Sequence, residues 1–256
     1  MEKYVTYIKA QIVELTSVHN DLSNIVERDN ETIVSGTLAF EASADELETI
    51  SESFDISLMI PHAFPDMLPK VIETGGRIGH KYTHLNPDGT LCLAIPVEQR
   101  RKFLQQPTLL GFVDSLIIPY LYGFSYWGKY GEHPFDEAVH GNEGILRHYI
   151  SALKLRDEIS ALATISFLFE HGYRGHHDCP CGSDLKVRTC HGAELFKLFQ
   201  NHTSQTLQSD FLAIVEVCTQ MIQAGKCILP ISLKSQVRRL LDKVKKHKGN
   251  TIIISS

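Results

Sequence analysis

The stretch from Ser23 to Glu73 leaves the chain little choice of fold. Asn24–Glu27, Thr32–Phe40, Phe54–Ile60 and Lys70–Glu73 are short runs rich in β-branched and aromatic residues, the composition of pleated, half-buried strands. Polar, acidic segments such as Glu27–Glu31 and Glu41–Glu52 separate them, with no room for the crossover helices that parallel pairing needs. The spacing predicts a four-stranded antiparallel meander. Ahead of it, Val5, Ile8, Ile12, Leu15, Val18 and Leu22 recur at intervals of three and four. That period predicts a helix over the first 22 residues with one apolar stripe against a core.

From Thr74 to about Pro107 the chain is irregular and rich in Gly, Pro and His. Thr108 then has the chemistry of an N-cap for a second helix, whose apolar side is Leu109, Leu110, Phe112, Val113, Leu116, Ile117 and Leu121. Pro119 conflicts with that pattern and predicts a kink or an end near Ile118. A loop with Gly128, Gly131, Pro134, Gly141 and Gly144 follows, and Ile145–His171 reads as helical in one or two pieces. Beyond the compact segment Gly172–Gly192, helices are expected over Ala193–Phe199, Leu207–Gln223 and Ser232–Lys248. The tail Asn250–Ser256 reads as frayed or as a short edge strand. The expected class is α+β, with a boundary near residue 150 to 170 dividing 1–150 from 151–256.

Charge excludes one function class and leaves another open. A net charge of −5 argues against a protein that coats nucleic acid over its whole surface. Residues 1–78 carry fourteen Asp/Glu against five Lys/Arg, a net of −9, while residues 226–248 carry eight Lys/Arg against one Asp, a net of +7. The basic segment is either a solvated helix face or a docking surface for an acidic partner, nucleic acid, or the acidic half of this or another copy. The N-terminus has charges among its apolar residues and no small-residue cleavage site, so no signal peptide is expected. No run approaches eighteen uninterrupted apolar residues, so no membrane span is expected and the cytoplasm is the default location. The six cysteines are spread unevenly, unlike a stapled secreted scaffold: Cys92 stands alone, Cys179, Cys181 and Cys190 cluster, and Cys218 and Cys227 follow.

The segment around Cys92 is the most informative. Pro61, Pro65 and Pro69 stiffen a crossing between two strands, with Phe64 as its apolar anchor. Asn86-Pro87-Asp88-Gly89 is a tight turn that places Leu91-Cys92-Leu93 just after a bend. A cysteine between two leucines is ordinarily a core residue. The combination resembles the catalytic domain of ubiquitin-conjugating enzymes over roughly residues 3–125. That family has a helix, a four-stranded meander and a proline-rich motif matched here by Pro61, Phe64, Pro65, Pro69 and Val71. It then has a His-Pro-Asn triplet and a Gly-x-[IV]-Cys-Leu motif, matched by His84-Leu85-Asn86 and Gly89-Thr90-Leu91-Cys92-Leu93.

Leu85 replaces the middle proline, the loop from Asn86 to Gly89 is about two residues shorter, and the only tryptophan, Trp127, lies 35 positions past the cysteine. The sequence is thus similar to a divergent bacterial branch found in antiphage operons, notably short type II cyclic-oligonucleotide (CBASS) systems. The resemblance implies a thioester-forming Cys92, with Asn86 as oxyanion donor or loop brace and His84 holding the loop through a backbone hydrogen bond. Asp88 and His80 are candidates for tuning an incoming amine.

The second constellation is His176-His177-Asp178-Cys179-Pro180-Cys181-Gly182-Ser183, then Cys190-His191-Gly192. Three thiolates and one imidazole make a closed tetrahedral zinc set, the signature of a structural Zn2+ site. The pattern resembles the SEC-C zinc motif, with Cys179, Cys181, Cys190 and His191 as ligands, although His176 or His177 in place of His191 is an alternative. A zinc knuckle over about 172–192 is therefore expected.

The resemblance implies a ubiquitin-conjugating-like acyl transferase that carries a protein C-terminus on Cys92 and passes it to an amine of an acceptor protein. The carried protein is expected to be a cGAS-like nucleotidyltransferase. The chain has no nucleotide-binding glycine loop, so any ATP-dependent activation falls to a separate enzyme. Its rivals are a catalytically inert binding scaffold on the same fold and a zinc-dependent nucleic-acid binder using the basic helix.

Overall fold

The computed structural model describes residues 2–44, 46–79, 81–134 and 141–250, with the backbone alone at 2–5 and 247–250. The chain divides into two compact units, Met1–Ala138 and Val139–Ser256.

In the first unit, α1 (Glu2–Val18) precedes a sheet of β1 (Asn24–Glu27), β2 (Glu31–Ala42), β3 (Ile50–Pro61) and β4 (Lys70–Glu73). The strands pair antiparallel in the order β1-β2-β3-β4, the meander that the short connections require. Two of the strands outrun their expected limits. Glu41 and Glu52, read as part of a polar separator, lie within β2 and β3, where Glu41 pairs with Ser51 and Phe40 with Glu52. Acidic side chains are tolerated there because alternate positions of a pleated strand face outward. The inward positions Val34, Leu38, Phe54, Ile56, Leu58 and Ile60 are fully buried.

Helix α1 adds Ile8, Ile12 and Leu15 to this core. Its stripe ends earlier than expected: Val18 is 58% exposed, and Leu22 reaches the core from the turn after the helix. That turn passes very close to β2. Thr37 N–H donates to the Asp21 carbonyl, and a Cβ on Gly36 (φ +148°) would lie 1.9 Å from that same oxygen.

The region read as irregular up to Pro107 contains a helix, α2 (Pro96–Phe103). Its signals are modest: a proline in the first turn with Glu98, and Arg100, Arg101 and Lys102 in the last turn, an arrangement that suits the helix dipole. Thr108 caps α3 (Leu109–Phe112), its hydroxyl accepting from Gly111 N–H. Pro119 does not end the run. The turn before it, Val113–Ile117, widens to a π-helix in which Ile118 N–H reaches back to Val113 O, and α4 (Ile118–Tyr130) continues. A π-turn shifts the ladder where the missing proline N–H would have left a gap. Among the described residues, Leu109–Tyr130 is the one stretch long and apolar enough to cross a membrane. Core packing accounts for that composition, since Leu109, Phe112, Val113, Ile117 and Leu121 are fully buried.

The second unit is helical: α5 (Gly141–Ala152), α6 (Glu158–His171), α7 (Gly192–Asn201), α8 (Ser204–Gln223) and α9 (Ile231–Asn250). The expected division near residue 150 falls inside α5, which packs on α6 and α8 and so belongs with the second unit. The Ile145–His171 run is two helices because Asp157 caps a new start, accepting from Ser160 N–H. Helix α8 opens on a reciprocal cap between Thr203 and Thr206. Leu233, Val237, Leu240 and Val244 form the buried stripe of α9, and Arg239 pairs with Glu170 of α6. Of the tail expected to be frayed or an edge strand over Asn250–Ser256, Asn250 ends α9 and 251–256 lie outside the described residues.

Candidate functional site

The chain leaves β3 at Pro61 and enters the proline-rich crossing. Phe64 anchors it as expected, fully buried, stacked on Tyr7 (6.0 Å) and edge-on to Phe103 of α2 (5.5 Å). Arg100 of α2 donates to the Pro65 carbonyl, holding the crossing from the other side.

The segment carrying Cys92 is then fixed by backbone bonds. Leu91 N–H donates to Val71 O of β4 (2.8 Å). An antiparallel bridge joins Leu85 to Leu91, flanked by Cys92 N–H to His84 O and Asn86 N–H to Thr90 O, both 2.9 Å. This register sets His84 opposite Cys92 and Asn86 opposite Thr90. Neighbouring positions point to opposite faces. Leu91, 4% exposed, enters the core, while Cys92 beside it is only half-buried.

Each predicted partner has a definite place. The His84 carbonyl accepts both Cys92 N–H and the Tyr120 hydroxyl (2.8 Å), so His84 holds the loop through its backbone. Asn86 braces the loop, its Nδ2 donating to Thr90 Oγ1 at 3.0 Å. Asp88 accepts from the Thr90 hydroxyl and N–H and pairs with Lys70 of β4 at 2.9 Å. These bonds, Thr90's first and Lys70's next, hold its carboxyl down at about 2. Burial pushes the Cys92 thiol up from its ordinary value. His80 lies outside the described residues. A groove beside the loop is lined by Lys70, Asn86, Asp88, Thr90, Leu93 and Gln99.

Sequence reasoning missed the ring cluster beside this loop. Tyr82 contacts His84 (5.1 Å), Tyr120 (5.7 Å) and Trp127 (5.2 Å), and His133 lies against His84 (5.1 Å), Tyr82 (5.6 Å) and Trp127 (6.2 Å). Trp127, far from this loop in sequence, is thus brought by α4 into the ring cluster on His84. No local signal marks His133, because only the packing of α4 brings it there.

In the second unit, the side-chain donors of Cys179, Cys181, Cys190 and His191 all lie within 4.8 Å of one another. Individual separations are 3.3 Å from Cys179 Sγ to His191 Nδ1, 3.6 Å from Cys181 Sγ to Cys190 Sγ, and 3.2 Å from Cys190 Sγ to His191 Nδ1. Tetrahedral bonds of about 2.3 Å to sulfur and about 2.0 Å to nitrogen put ligand atoms about 3.5–3.8 Å apart, so the set fits a metal ion of zinc's size. The loop is built for this. Asp178 bridges Lys186, Cys179 N–H donates to Leu185 O, and Gly182 turns the chain at φ +81°. His191 opens α7, which fixes one donor to a rigid helix.

Burial pushes the Cys179 thiol up to about 12. Against its own burial, Cys181 is drawn down to about 7 by hydrogen bonds from Ser183 and the two other thiols. His176 and His177 are not in the cluster; His177 lies against Phe167 (5.7 Å) and His171 (5.4 Å), with His176 on His177 (4.7 Å). Cys218 is buried in α8 and Cys227 follows that helix, neither near the cluster's donor set.

A further polar group lies buried among the helices. The Tyr149 hydroxyl and His202 Nε2 both approach Asp210 Oδ2, at 2.8 and 3.2 Å, and the His202 and Asp210 side chains are 1% and 0% exposed. Asp210 Oδ1 has no hydrogen-bond partner.

No family model and no curated protein matches this chain.

Proposed function

We propose that the chain is an acyl carrier of the ubiquitin-conjugating type, with Cys92 as the carrying sulfur. The supporting observation is the pairing of His84–Asn86 with Thr90–Cys92, which holds a half-buried Cys92 opposite His84 after a helix and four-stranded meander in that order. The Cys92 sulfur attacks the carbonyl of a protein C-terminal thioester, the new C–S bond forms, and the donor thiolate leaves. An amine of the acceptor protein then displaces Cys92. Asn86 spends one amide hydrogen on Thr90 and has a second to offer the oxyanion of each tetrahedral intermediate, a contribution of roughly 3–4 kcal/mol when well aimed.

The resemblance to conjugating-like proteins of bacterial antiphage operons points to a cGAS-like nucleotidyltransferase as the carried protein and to a separate activating enzyme. Cys179, Cys181, Cys190 and His191 would hold a structural Zn2+, which when bound supplies folding free energy to the SEC-C-like knuckle. One observation favours the inert-scaffold reading instead: burial raises the Cys92 thiol, which lowers its thiolate fraction at neutral pH. A nonreducing gel separates the two. A thiol-sensitive adduct on the wild-type chain, absent from Cys92→Ser, supports the carrier. Function unchanged in Cys92→Ser overturns it.

A further inference from the structure

Resting on the carrier reading, we propose that His84 is the proton-transfer group for the amine step, with His133 as the positioning residue that sets its ring. The geometry comes from the register. Cys92 N–H donates to the His84 carbonyl one step beyond the Leu85–Leu91 bridge, so the two residues stand opposite each other, a placement that in an antiparallel pair brings Cβ atoms to about 5 Å. The ring is not loose there. Tyr82 contacts it from one side at 5.1 Å, and His133 lies edge-to-face with it at 5.1 Å, itself resting on Tyr82 and Trp127. The main chain of His84 is tied separately, its carbonyl accepting from Cys92 N–H and Tyr120 O–H. Side chain and backbone of this one residue therefore have separable roles.

The chemistry needs such a group. Attack by a neutral amine on the Cys92 thioester forms a C–N bond and leaves a positively charged nitrogen next to an oxyanion. His84 takes a proton from that nitrogen. When the intermediate collapses, the C–S bond breaks, and the imidazolium returns the proton to the departing sulfur, leaving an amide and a neutral thiol. A sulfur whose thiol is raised by burial departs poorly as a bare thiolate, so the returned proton matters more here than at an exposed cysteine. Among the described residues, the ionisable groups around the pair include Tyr82, Tyr120 and Cys92.

The test is a single-turnover assay on the full chain. A short peptide ending in glycine, supplied as a small-molecule thioester, charges Cys92. Intact mass then follows discharge to free lysine. His84→Gln, which keeps the backbone bonds, is expected to charge normally but discharge about a hundredfold more slowly, with added imidazole restoring much of the rate. His133→Gln is expected to discharge about tenfold more slowly, also with rescue by imidazole. A charged His84→Gln that discharges at the wild-type rate overturns the inference and leaves the carrier reading standing. Failure of wild type to charge at Cys92 overturns the carrier reading and this inference with it. Should His84→Gln fail to charge, His133→Gln decides: slowed discharge with imidazole rescue supports the pair, and wild-type discharge overturns it.

Discussion

Cys92 and the cluster of Cys179, Cys181 and Cys190 place the same residue type in two opposite relations to the fold. At Cys92 the segment is held mainly by the fold around it: a bridge between Leu85 and Leu91, a bond to β4, side-chain hydrogen bonds of Asn86, Asp88 and Tyr120, and a core beneath. At the cluster the surroundings are thin. Cys179 and Val187 are its buried apolar residues between positions 172 and 191, and most of the segment is polar or glycine. In the first unit the fold holds the cysteine; in the second, under the proposed metal site, the cysteines and their histidine would hold the fold. Cysteine number alone carries little information, and the neighbours of each sulfur carry most of it.

The largest expected effect tests that contrast directly. Chelation, or Cys181→Ser, should remove one equivalent of bound metal per chain and unfold the segment from about 172 to 192. Structural zinc supplies apparent free energies of about 10–16 kcal/mol in isolated finger peptides, and a smaller loss is expected where helices retain a core of their own. Elemental analysis and hydrogen exchange would read it. Cys92→Ser should keep full metal content. Loss of metal in Cys92→Ser, or an unchanged knuckle after chelation, would break the comparison.

The next effect probes how rigidly the first unit is determined. Gly36→Ala would force a Cβ to 1.9 Å from the Asp21 carbonyl at a positive φ, and backbone on both sides has to move. A destabilisation of about 3 kcal/mol is expected, read from the urea midpoint. Metal content should not change.

Tyr149→Phe tests polar packing away from the Cys/His cluster. It strips one of two partners from a carboxylate oxygen that is wholly buried, while Asp210 Oδ1 already lacks one. About 1–3 kcal/mol of stability should be lost. A neutral result would mean that water or a rotated Asp210 replaces the hydroxyl.

How much of this was legible beforehand follows from how local each cause is. The meander was readable because β-branched runs and short acidic links act within a few residues. The candidate metal donors were readable because Cys179, Cys181, Cys190 and His191 lie close in sequence, and only packing could choose His191 over His176 or His177. Helix α2 was hidden behind a glycine- and proline-rich context, although Pro96 and its charge order marked it. The ring cluster of Tyr82, His84, Trp127 and His133, and the group of Tyr149, His202 and Asp210, were invisible. Each joins residues from separate elements, which sequence periodicity does not record.

The smallest effect sharpens the claim that ladder and core, not charge, hold Cys92. Lys70 and Asp88 tie β4 to the turn ahead of the cysteine at 2.9 Å, but their side chains are 66% and 52% exposed. Exposed pairs contribute about 0–1 kcal/mol, so Lys70→Ala should cost less than about 1 kcal/mol and less still at high salt. The pH dependence has a definite sign. The Asp88 carboxyl sits at about 2 in the fold, below the usual carboxylate value of about 3.9. Its contribution is therefore fully present above pH 4 and is lost as pH falls toward 2. The stability difference between wild type and Asp88→Asn should accordingly shrink between pH 5 and pH 3. Alkylation of Cys92 by iodoacetamide should change less than twofold in Lys70→Ala. A tenfold rise would show that the ion pair, and not the Leu85–Leu91 bridge, keeps the sulfur where it is.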